Sequence, residues 1–384
     1  MRISIAAHGR FHAFDLAAAL LGRGMDVGLL TNYPRRVVAR WLPAERVQTL
    51  RRHGLLSRAA RRAASGEPPE QVEAALKQMF GRWAARRHIA AVPDVVHCWS
   101  GVAEESLRAC AGRAICTVAR GSAHIRTQYE LLAAEQVRTG GRLEKPSAWI
   151  MAREEREYGL AFRVIVPSSF ARRSFIERGH DPGKVAVVNL SWRARGFEAD
   201  ESIMAQRAQR LRSGAPLRVL YTGALSYRKG MHDMRAVLSA LGSRMSFRLV
   251  GPLLDECADF AREAARVAQV QTAVPESSLP EVYAWGDVFL LPTIEDGFAV
   301  VLAQAQAAGL PLIATTNCGA PDIIAGGGQG FIVPVRTPAA IIERLEWCNT
   351  NREELARMVE RLYEQPPRRS WDDVAADFIK VVSA

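Results

Sequence analysis

Short runs of apolar residues alternate with longer stretches of helical periodicity along almost the whole chain. Such runs are typical of strands in parallel sheets covered on both faces, and the stretches between them are typical of the covering helices. The pattern therefore predicts an α/β protein. The predicted strands are residues 3–7, 27–30, 95–98, 114–118, 163–166, 185–189, 218–222, 246–250, 288–291, 311–314 and 330–333, and the clearest helices are 14–24, 169–178 and 298–308.

The length of 384 residues suits two domains of about 190 residues each. Residues 198–216 interrupt the alternation, because they are polar, end in Ser-Gly-Ala-Pro and precede a new strand. This composition predicts a linker with some helical content, between one domain over 1–197 and another over 217–367. In open α/β sheets ligands bind beyond the carboxyl ends of the strands, so we expect a site built from both domains.

The net charge of +11 is concentrated near the amino terminus, where residues 1–90 hold 16 Lys and Arg against 6 Asp and Glu. Residues 35–90 are interpreted as a basic helical insertion that either meets the second substrate or only covers the sheet. The basic surface fits an anionic membrane or an anionic acceptor, or only keeps the chain in solution. No nucleic-acid reader motif accompanies the charge, so we expect no nucleic-acid partner.

Six cysteines, at positions 98, 110, 116, 257, 318 and 348, form no C-x-x-C pair. Scattered thiols are typical of a reducing compartment, and no spacing suggests a metal site. No run reaches the roughly 18 apolar residues of a membrane-spanning helix, and the apolar start suits a buried strand better than a signal peptide. We expect a cytoplasmic protein without a bound metal, with peripheral contact at the inner face of the membrane left open.

The first group of residues with candidate chemistry follows the predicted strand 218–222. Gly223 allows a close turn, and the adjacent Arg228 and Lys229 open the next helix. Two cations at a helix start suit a diphosphate, because Arg grips two phosphate oxygens and Lys adds a compact charge. The alternative is a solvated pair of surface charges.

The second group follows the predicted strand 288–291. Glu295 and Asp296 precede Gly297, and a helix begins near Phe298. Carboxylates accept hydrogen bonds from sugar hydroxyls, and the free amides of a helix start favour anions or sugar oxygens. Gln304 lies about two turns further on, near the face of Asp296, where it is placed to bond ribose hydroxyls. The alternative is that the two acids only cap the helix.

Taken in order, these segments resemble the family-4 glycosyltransferases, which have the two-domain GT-B fold. The resemblance rests on G-x-L-x-x-R-K-G at 223–230 and E-D-G-F-A-V-V-L-A-Q-A-Q-A-A-G-L-P at 295–311. The family has Glu-Gly-Phe-Gly with a second Glu eight positions after the first. In register, the first Glu falls on Asp296, beside Glu295, and the second falls on Gln304. Weaker likenesses extend over nearly the whole chain, including a last helix over 368–384 that crosses back to the first domain.

The resemblance implies an acceptor-binding first domain and a donor-binding second domain. The two cations would neutralise the donor diphosphate, loop amides would hold phosphate and sugar, one of the two acids would bind the sugar hydroxyls, and Gln304 would bind ribose. The implied donor residues are Gly223, Arg228, Lys229, Glu295, Asp296, Gly297, Phe298 and Gln304. In the first domain we expect His124 beside the transferred sugar. The residues expected to meet the acceptor are His8, His12, Arg120 and Arg126.

The resemblance predicts a retaining glycosyltransferase that moves a sugar from a nucleotide diphosphate to a glycan or lipid-linked acceptor, without a metal cofactor. We expect a role in bacterial surface polysaccharide assembly. The first alternative is a non-catalytic nucleotide-sugar or glycan-binding protein, which Gln304 in place of Glu keeps open. A sugar-nucleotide epimerase is the second. A dinucleotide-dependent oxidoreductase needs G-x-G-x-x-G after the first strand, and the segment 8–12 does not supply it.

Overall fold

The computed structural model describes residues 1–64, 68–191, 196–272, 274–324, 328–365 and 369–384. Within these residues the strands form two parallel sheets, which confirms the prediction of two Rossmann-like α/β domains. The predicted boundary at residues 367 and 368 lies outside the described residues.

The first sheet has the strand order β3-β2-β1-β4-β5-β6-β7. Its strands are β1 (Arg2–Ala7), β2 (Asp26–Thr31), β3 (Val47–Thr49), β4 (Val95–Trp99), β5 (Ile115–Ala119), β6 (Arg163–Val166) and β7 (Val185–Val187). Its helices are α1 (Ala13–Gly22), α2 (Arg35–Val38), α3 (Arg51–Ala64), α4 (Glu70–Ala91), α5 (Glu104–Cys110), α6 (Ile125–Thr139), α7 (Ala148–Leu160) and α8 (Ser169–Ile176). Apolar side chains of Ile3, Ile5 and Val27 are fully buried, as expected for strands covered on both faces.

The second sheet has the order β10-β9-β8-β11-β12-β13. Its strands are β8 (Arg218–Thr222), β9 (Ser246–Val250), β10 (Ala268–Gln271), β11 (Val288–Leu291), β12 (Leu312–Thr315) and β13 (Gly330–Val333). The remaining helices are α9 (Glu201–Arg212), α10 (Met231–Leu241), α11 (Ala258–Ala264), α12 (Leu279–Trp285), α13 (Val300–Ala307), α14 (Ala320–Ile323), α15 (Pro338–Thr350), α16 (Arg352–Glu364) and α17 (Trp371–Ser383).

The structure corrects the interpretation of residues 35–90 as an insertion outside the strand–helix alternation. This segment contains β3, which pairs with β2, and α3 and α4 then form the crossover from β3 to β4. The pattern did not reveal β3 or β10, because their sequences, Val-Gln-Thr and Ala-Gln-Val-Gln, contain glutamines. These strands therefore lack the continuous apolar run that marks a strand covered on both faces.

The segment 198–216, predicted as a linker, is mostly helix α9. Met204, Ala208 and Leu211 of this helix lie in the core of the second domain. The segment is rich in polar residues because α9 is an amphipathic helix with a polar outer face. Composition alone does not distinguish such a helix from a linker. At the other end of the chain, α17 packs against α1 of the first domain, and Phe378 is buried in that domain's core.

The two domains meet along helix α6 of the first domain. Leu132 on this helix and Leu143 just beyond it are buried in the core of the second domain. On the same helix, Arg138 pairs with Asp233 of α10 at 2.6 Å. Arg336, between β13 and α15, pairs with Glu135 of α6 at 3.0 Å. Helix α6 thus joins the two domains through apolar and charged contacts.

Candidate functional site

The two loops that carry the candidate donor residues follow β8 and β11, which are neighbours in the second sheet. Arg228 and Lys229 lie in a single 3₁₀ turn, Tyr227–Lys229, and the Ser226 hydroxyl caps it by accepting a hydrogen bond from the Lys229 amide at 3.3 Å. Gly230 ends the turn with a φ of 84° and packs directly on the carbonyl of Pro292 in the other loop. Because a side chain at Gly230 would collide with that carbonyl, the glycine lets the two loops touch.

The two loops are joined by an ion pair between Lys229 and Asp296. The Asp296 carboxylate also accepts hydrogen bonds from the amides of Phe298 at 3.3 Å and Ala299 at 3.0 Å, just before α13 begins. Burial works to raise the pKa of Asp296, but Lys229 and Arg228 outweigh it and hold the pKa below its usual value. The carboxylate is thus ionised at neutral pH, beside a cation and two amides.

Glu295 points the other way and makes its contacts with the first domain. Its carboxylate accepts hydrogen bonds from the Ser122 hydroxyl, the Ala123 amide and the Gln128 side chain, and pairs with Arg228 at 2.7 Å. Burial works to raise its pKa, but Arg228 and the hydrogen bond from Ser122 hold the pKa below its usual value. The structure thus separates two acids that are neighbours in the sequence.

Four further residues that the sequence predicts to bind the donor lie around these loops. Gly223 ends β8, where its amide donates to the carbonyl of Val250 at 2.9 Å. The backbone of Gly297 packs against Gly121 of the first domain, and Phe298 is buried. Gln304, on α13, accepts a hydrogen bond at 2.9 Å from the Tyr283 hydroxyl. The predicted donor residues thus share one edge of the second sheet.

His12 lies just before α1 in the first domain. Its ring stacks on Trp371 of α17 with centroids 6.1 Å apart, and burial lowers its pKa while Asp15 and Asp296 act to raise it. A cavity of about 60 Å³ between the first sheet and α17 is lined by His12, Trp371 and Gly121, among other residues. His12 thus lies on this cavity of the first domain, and the charge of Asp296 acts on its pKa.

Sequence models of a known enzyme family match both domains. Residues 10–190 match the model described as "Glycosyltransferase Family 4", and residues 216–351 match "Glycosyl transferases group 1". The chain belongs to the family-4 glycosyltransferases. This membership, with the two parallel-sheet domains, confirms the resemblance and the GT-B fold.

Relatives and solved structures agree with this assignment. D-inositol 3-phosphate glycosyltransferase of Corynebacterium urealyticum is 25% identical over 57% of this chain and 56% of its own length. WcaL of Salmonella typhimurium, a glycosyltransferase assigned to colanic acid biosynthesis, is 26% identical over 52% of this chain and 49% of its own. The matches therefore span about half the length of these curated relatives. The structure of Anabaena Alr3699/HepE in complex with UDP superimposes with a TM-score of 0.67 over both whole chains at 14% identity, which supports the shared fold.

The structure packs the ring of His124 in an aromatic cluster with Tyr158, Phe175 and His180. The ring accepts a hydrogen bond from the Arg126 amide and thereby caps α6. Burial among these rings lowers the pKa of His124 to about 3. Its surroundings suit a structural cap and not the role beside the sugar that the sequence predicts.

The two arginines expected to meet the acceptor are engaged by acids of the first domain. Arg120 is buried and pairs with Glu154 at 3.1 Å, while Arg126 forms an ion pair with Glu155 at the surface. His8 is packed between Phe11 and Phe80, and burial, with Lys77 nearby, lowers its pKa well below the usual value. Of the first-domain residues predicted to act, Arg120 is linked to the acidic loop through Gln128, whose side chain donates to Glu295 at 3.2 Å.

Ser122, Gln128 and Tyr283 contact the predicted donor residues but were not among the residues predicted from the sequence. Ser122 follows a strand end, which was a weak indication, whereas Gln128 and Tyr283 occur in helices without any motif. The described residues contain no group of three or more His, Cys, Asp or Glu side chains placed to hold a metal ion. The same part of the chain holds no helix both long and apolar enough to cross a bilayer.

Proposed function

We propose that this glycosyltransferase moves a sugar, with retention of anomeric configuration, from a nucleoside diphosphate to a glycan or lipid-linked acceptor. The observation that carries the proposal is the cluster formed by Lys229, Asp296 and the amides of Phe298 and Ala299. It lies at the carboxyl ends of neighbouring strands. Cations beside the backbone amides of a helix start bind a diphosphate, and a carboxylate among them bonds sugar hydroxyls. That Alr3699/HepE is solved with UDP supports a nucleotide donor.

In this scheme the diphosphate takes over the contacts that Asp296 now makes with Lys229. The bond from the anomeric carbon to the phosphate oxygen breaks, and the bond to the acceptor oxygen forms on the same face of the sugar. The departing phosphate accepts the proton of the acceptor hydroxyl, so the reaction needs no protein nucleophile. Lys229 and Arg228 stabilise the charge on the leaving phosphate, which is the contribution that a metal makes elsewhere.

Turnover of nucleotide sugars by the purified chain tests this proposal. UDP-, GDP- and ADP-linked hexoses are incubated with the protein, donor loss is followed by chromatography, and the anomeric configuration of the product is read by NMR. Slow donor hydrolysis or transfer that disappears in Lys229→Ala supports catalysis. Binding of a donor, seen as a thermal shift, without any turnover would favour the non-catalytic alternative. Interconversion of the donor into its epimer would favour the epimerase.

We also propose a role in bacterial surface polysaccharide assembly, in which the enzyme works at an anionic membrane. The assignment of WcaL to colanic acid biosynthesis supports the pathway. The outward face of α3 supports the membrane contact: Leu55 and Leu56 are 62% and 51% exposed, and the arginines Arg51, Arg52 and Arg58 beside them are exposed too. No acid lies on this helix. Basic helices with exposed leucines insert into the headgroup region of anionic bilayers.

Co-sedimentation with vesicles measures this contact. Binding to phosphatidylglycerol vesicles should exceed binding to phosphatidylcholine vesicles, and the double variant L55Q/L56Q should bind about tenfold more weakly, because two buried leucines are lost. Val137→Gln is the matched control, since Val137 is 85% exposed on another helix and its variant should bind as wild type. Equal binding of L55Q/L56Q and wild type would contradict the contact.

A further inference from the structure

The side chain of Glu295 is fully buried where the two domains meet. One carboxylate oxygen accepts hydrogen bonds from the Ser122 hydroxyl and from the Ala123 amide at 3.1 Å. The other accepts from the side-chain amide of Gln128 at 3.2 Å and pairs with Arg228 at 2.7 Å. Three of these four donors belong to the first domain, so this environment exists only while the domains are closed.

The backbone beside Glu295 shows how closely the domains approach. A side chain at Gly297 would collide with the carbonyl of Gly121 and with Ser122. The loop after β11 therefore rests directly on the loop after β5. Because a buried carboxylate without partners is costly, separation of the domains must return Glu295 to water or leave it unpaired.

The first domain holds Gln128 in the orientation that this contact needs. Arg120 donates to the side-chain oxygen of Gln128 at 2.5 Å, which turns the amide nitrogen of Gln128 toward Glu295. Arg120 is itself fixed by Glu154 and by the carbonyl of Ala123 at 2.9 Å. Arg120 thus holds the side chain of Gln128 in the orientation in which it donates to Glu295.

Arg228 connects this contact to the donor site. Its guanidinium donates to the backbone carbonyl of Glu295 at 3.2 Å as well as pairing with the carboxylate. Its side chain is 38% exposed, whereas that of Glu295 is not exposed at all. Of these two charged partners, Arg228 is therefore the one that a diphosphate can reach.

We propose that Glu295 is a positioning residue that couples phosphate binding at Arg228 to closure of the two domains. The coupling rests on the proposed function, because it assumes that Arg228 binds the donor diphosphate. Glu295, which precedes the position of the family's first Glu, then serves domain closure. The family motif does not specify this role.

The experiment compares Glu295→Gln, Gln128→Ala and the double variant with wild type, using the full chain. Glu295→Gln keeps the size of the side chain but turns an N–H group toward Arg228 and Gln128. Small-angle X-ray scattering, with and without UDP, should give a larger radius of gyration for each variant. Turnover of UDP-glucose should fall about tenfold in each single variant, since one charged hydrogen-bond contact is lost. The double variant should be no slower than Glu295→Gln, because both changes break one contact.

Glu346→Gln is the matched control, because Glu346 forms an ion pair of the same 2.7 Å length with Arg244 inside the second domain. This variant should scatter and turn over donor as wild type does. Wild-type scattering by both Glu295→Gln and Gln128→Ala would overturn the coupling, as would fully additive losses of activity in the double variant. Because scattering requires no turnover, an inactive wild-type chain would refute glycosyl transfer and leave the closure measurement to decide the role of Glu295.

Discussion

Replacement of Lys229 by Ala tests the central feature of the donor site. The Lys229 ammonium pairs with Asp296, and the two side chains are only 21% and 18% exposed. At an effective dielectric constant of about 20, two unit charges about 4 Å apart attract each other by about 4 kcal/mol, and desolvation offsets most of this attraction. The variant leaves Asp296 with its two amide donors, so the carboxylate does not become an unpaired buried charge. We therefore expect a loss of only about 1–2 kcal/mol of stability.

The same change should have a much larger effect on transfer. Removal of one preorganised group that stabilises developing charge costs about 10²- to 10³-fold in rate, or about 2.7–4 kcal/mol. Donor turnover should fall by this factor, whereas the melting temperature should fall by only a few degrees, at about 2–4 °C per kcal/mol for a domain of this size. The gap between the two effects identifies a functional role for the cation.

The assay measures turnover of UDP-, GDP- and ADP-linked hexoses together with thermal unfolding. Lys229→Arg is the matched control, since it keeps the positive charge and should retain more activity than Lys229→Ala. Donor turnover by Lys229→Ala at the wild-type rate would refute a role of Lys229 in transfer. A parallel decline of activity and melting temperature in both variants would also refute it, because Lys229 would then only hold the loops in place.

Two further outcomes follow, one from the packing at Gly297 and one from the buried His97. Gly297→Ala should lower donor turnover at least tenfold, because the added methyl group would collide with the carbonyl of Gly121. The control is Gly159→Ala, in an open position on α7, which should leave activity unchanged and add about 0.5–1 kcal/mol of stability. Burial lowers the pKa of His97 to about 3, so the unfolded chain takes up a proton below pH 6.5 that the folded chain does not. Between pH 7 and pH 5 the free energy of unfolding of wild type should fall by about 2 kcal/mol through His97, and that of His97→Gln should fall by less. Thermal unfolding at both pH values measures the difference, and the same pH dependence in wild type and His97→Gln would contradict the assignment.

The sequence by itself determined the fold class and which loops carry the predicted donor residues. Continuous apolar strands require a sheet covered on both faces, so eleven of the thirteen strands that the structure describes were predicted from apolar runs. Arg228, Lys229 and Asp296 were visible because they follow such strands and precede helices. The carboxyl ends of neighbouring parallel strands meet at one edge.

Only the tertiary structure decided which residues act on which partner. Glu295 and Asp296 are adjacent in the sequence, yet successive side chains leave a loop in different directions, and one meets the first domain while the other meets Lys229. Likewise, His124 follows a strand end but turns into an aromatic cluster, whereas Gln128 reaches across the domain interface. Local pattern fixes where a backbone segment lies in a sheet, but the direction of a side chain depends on contacts with segments far away in the chain.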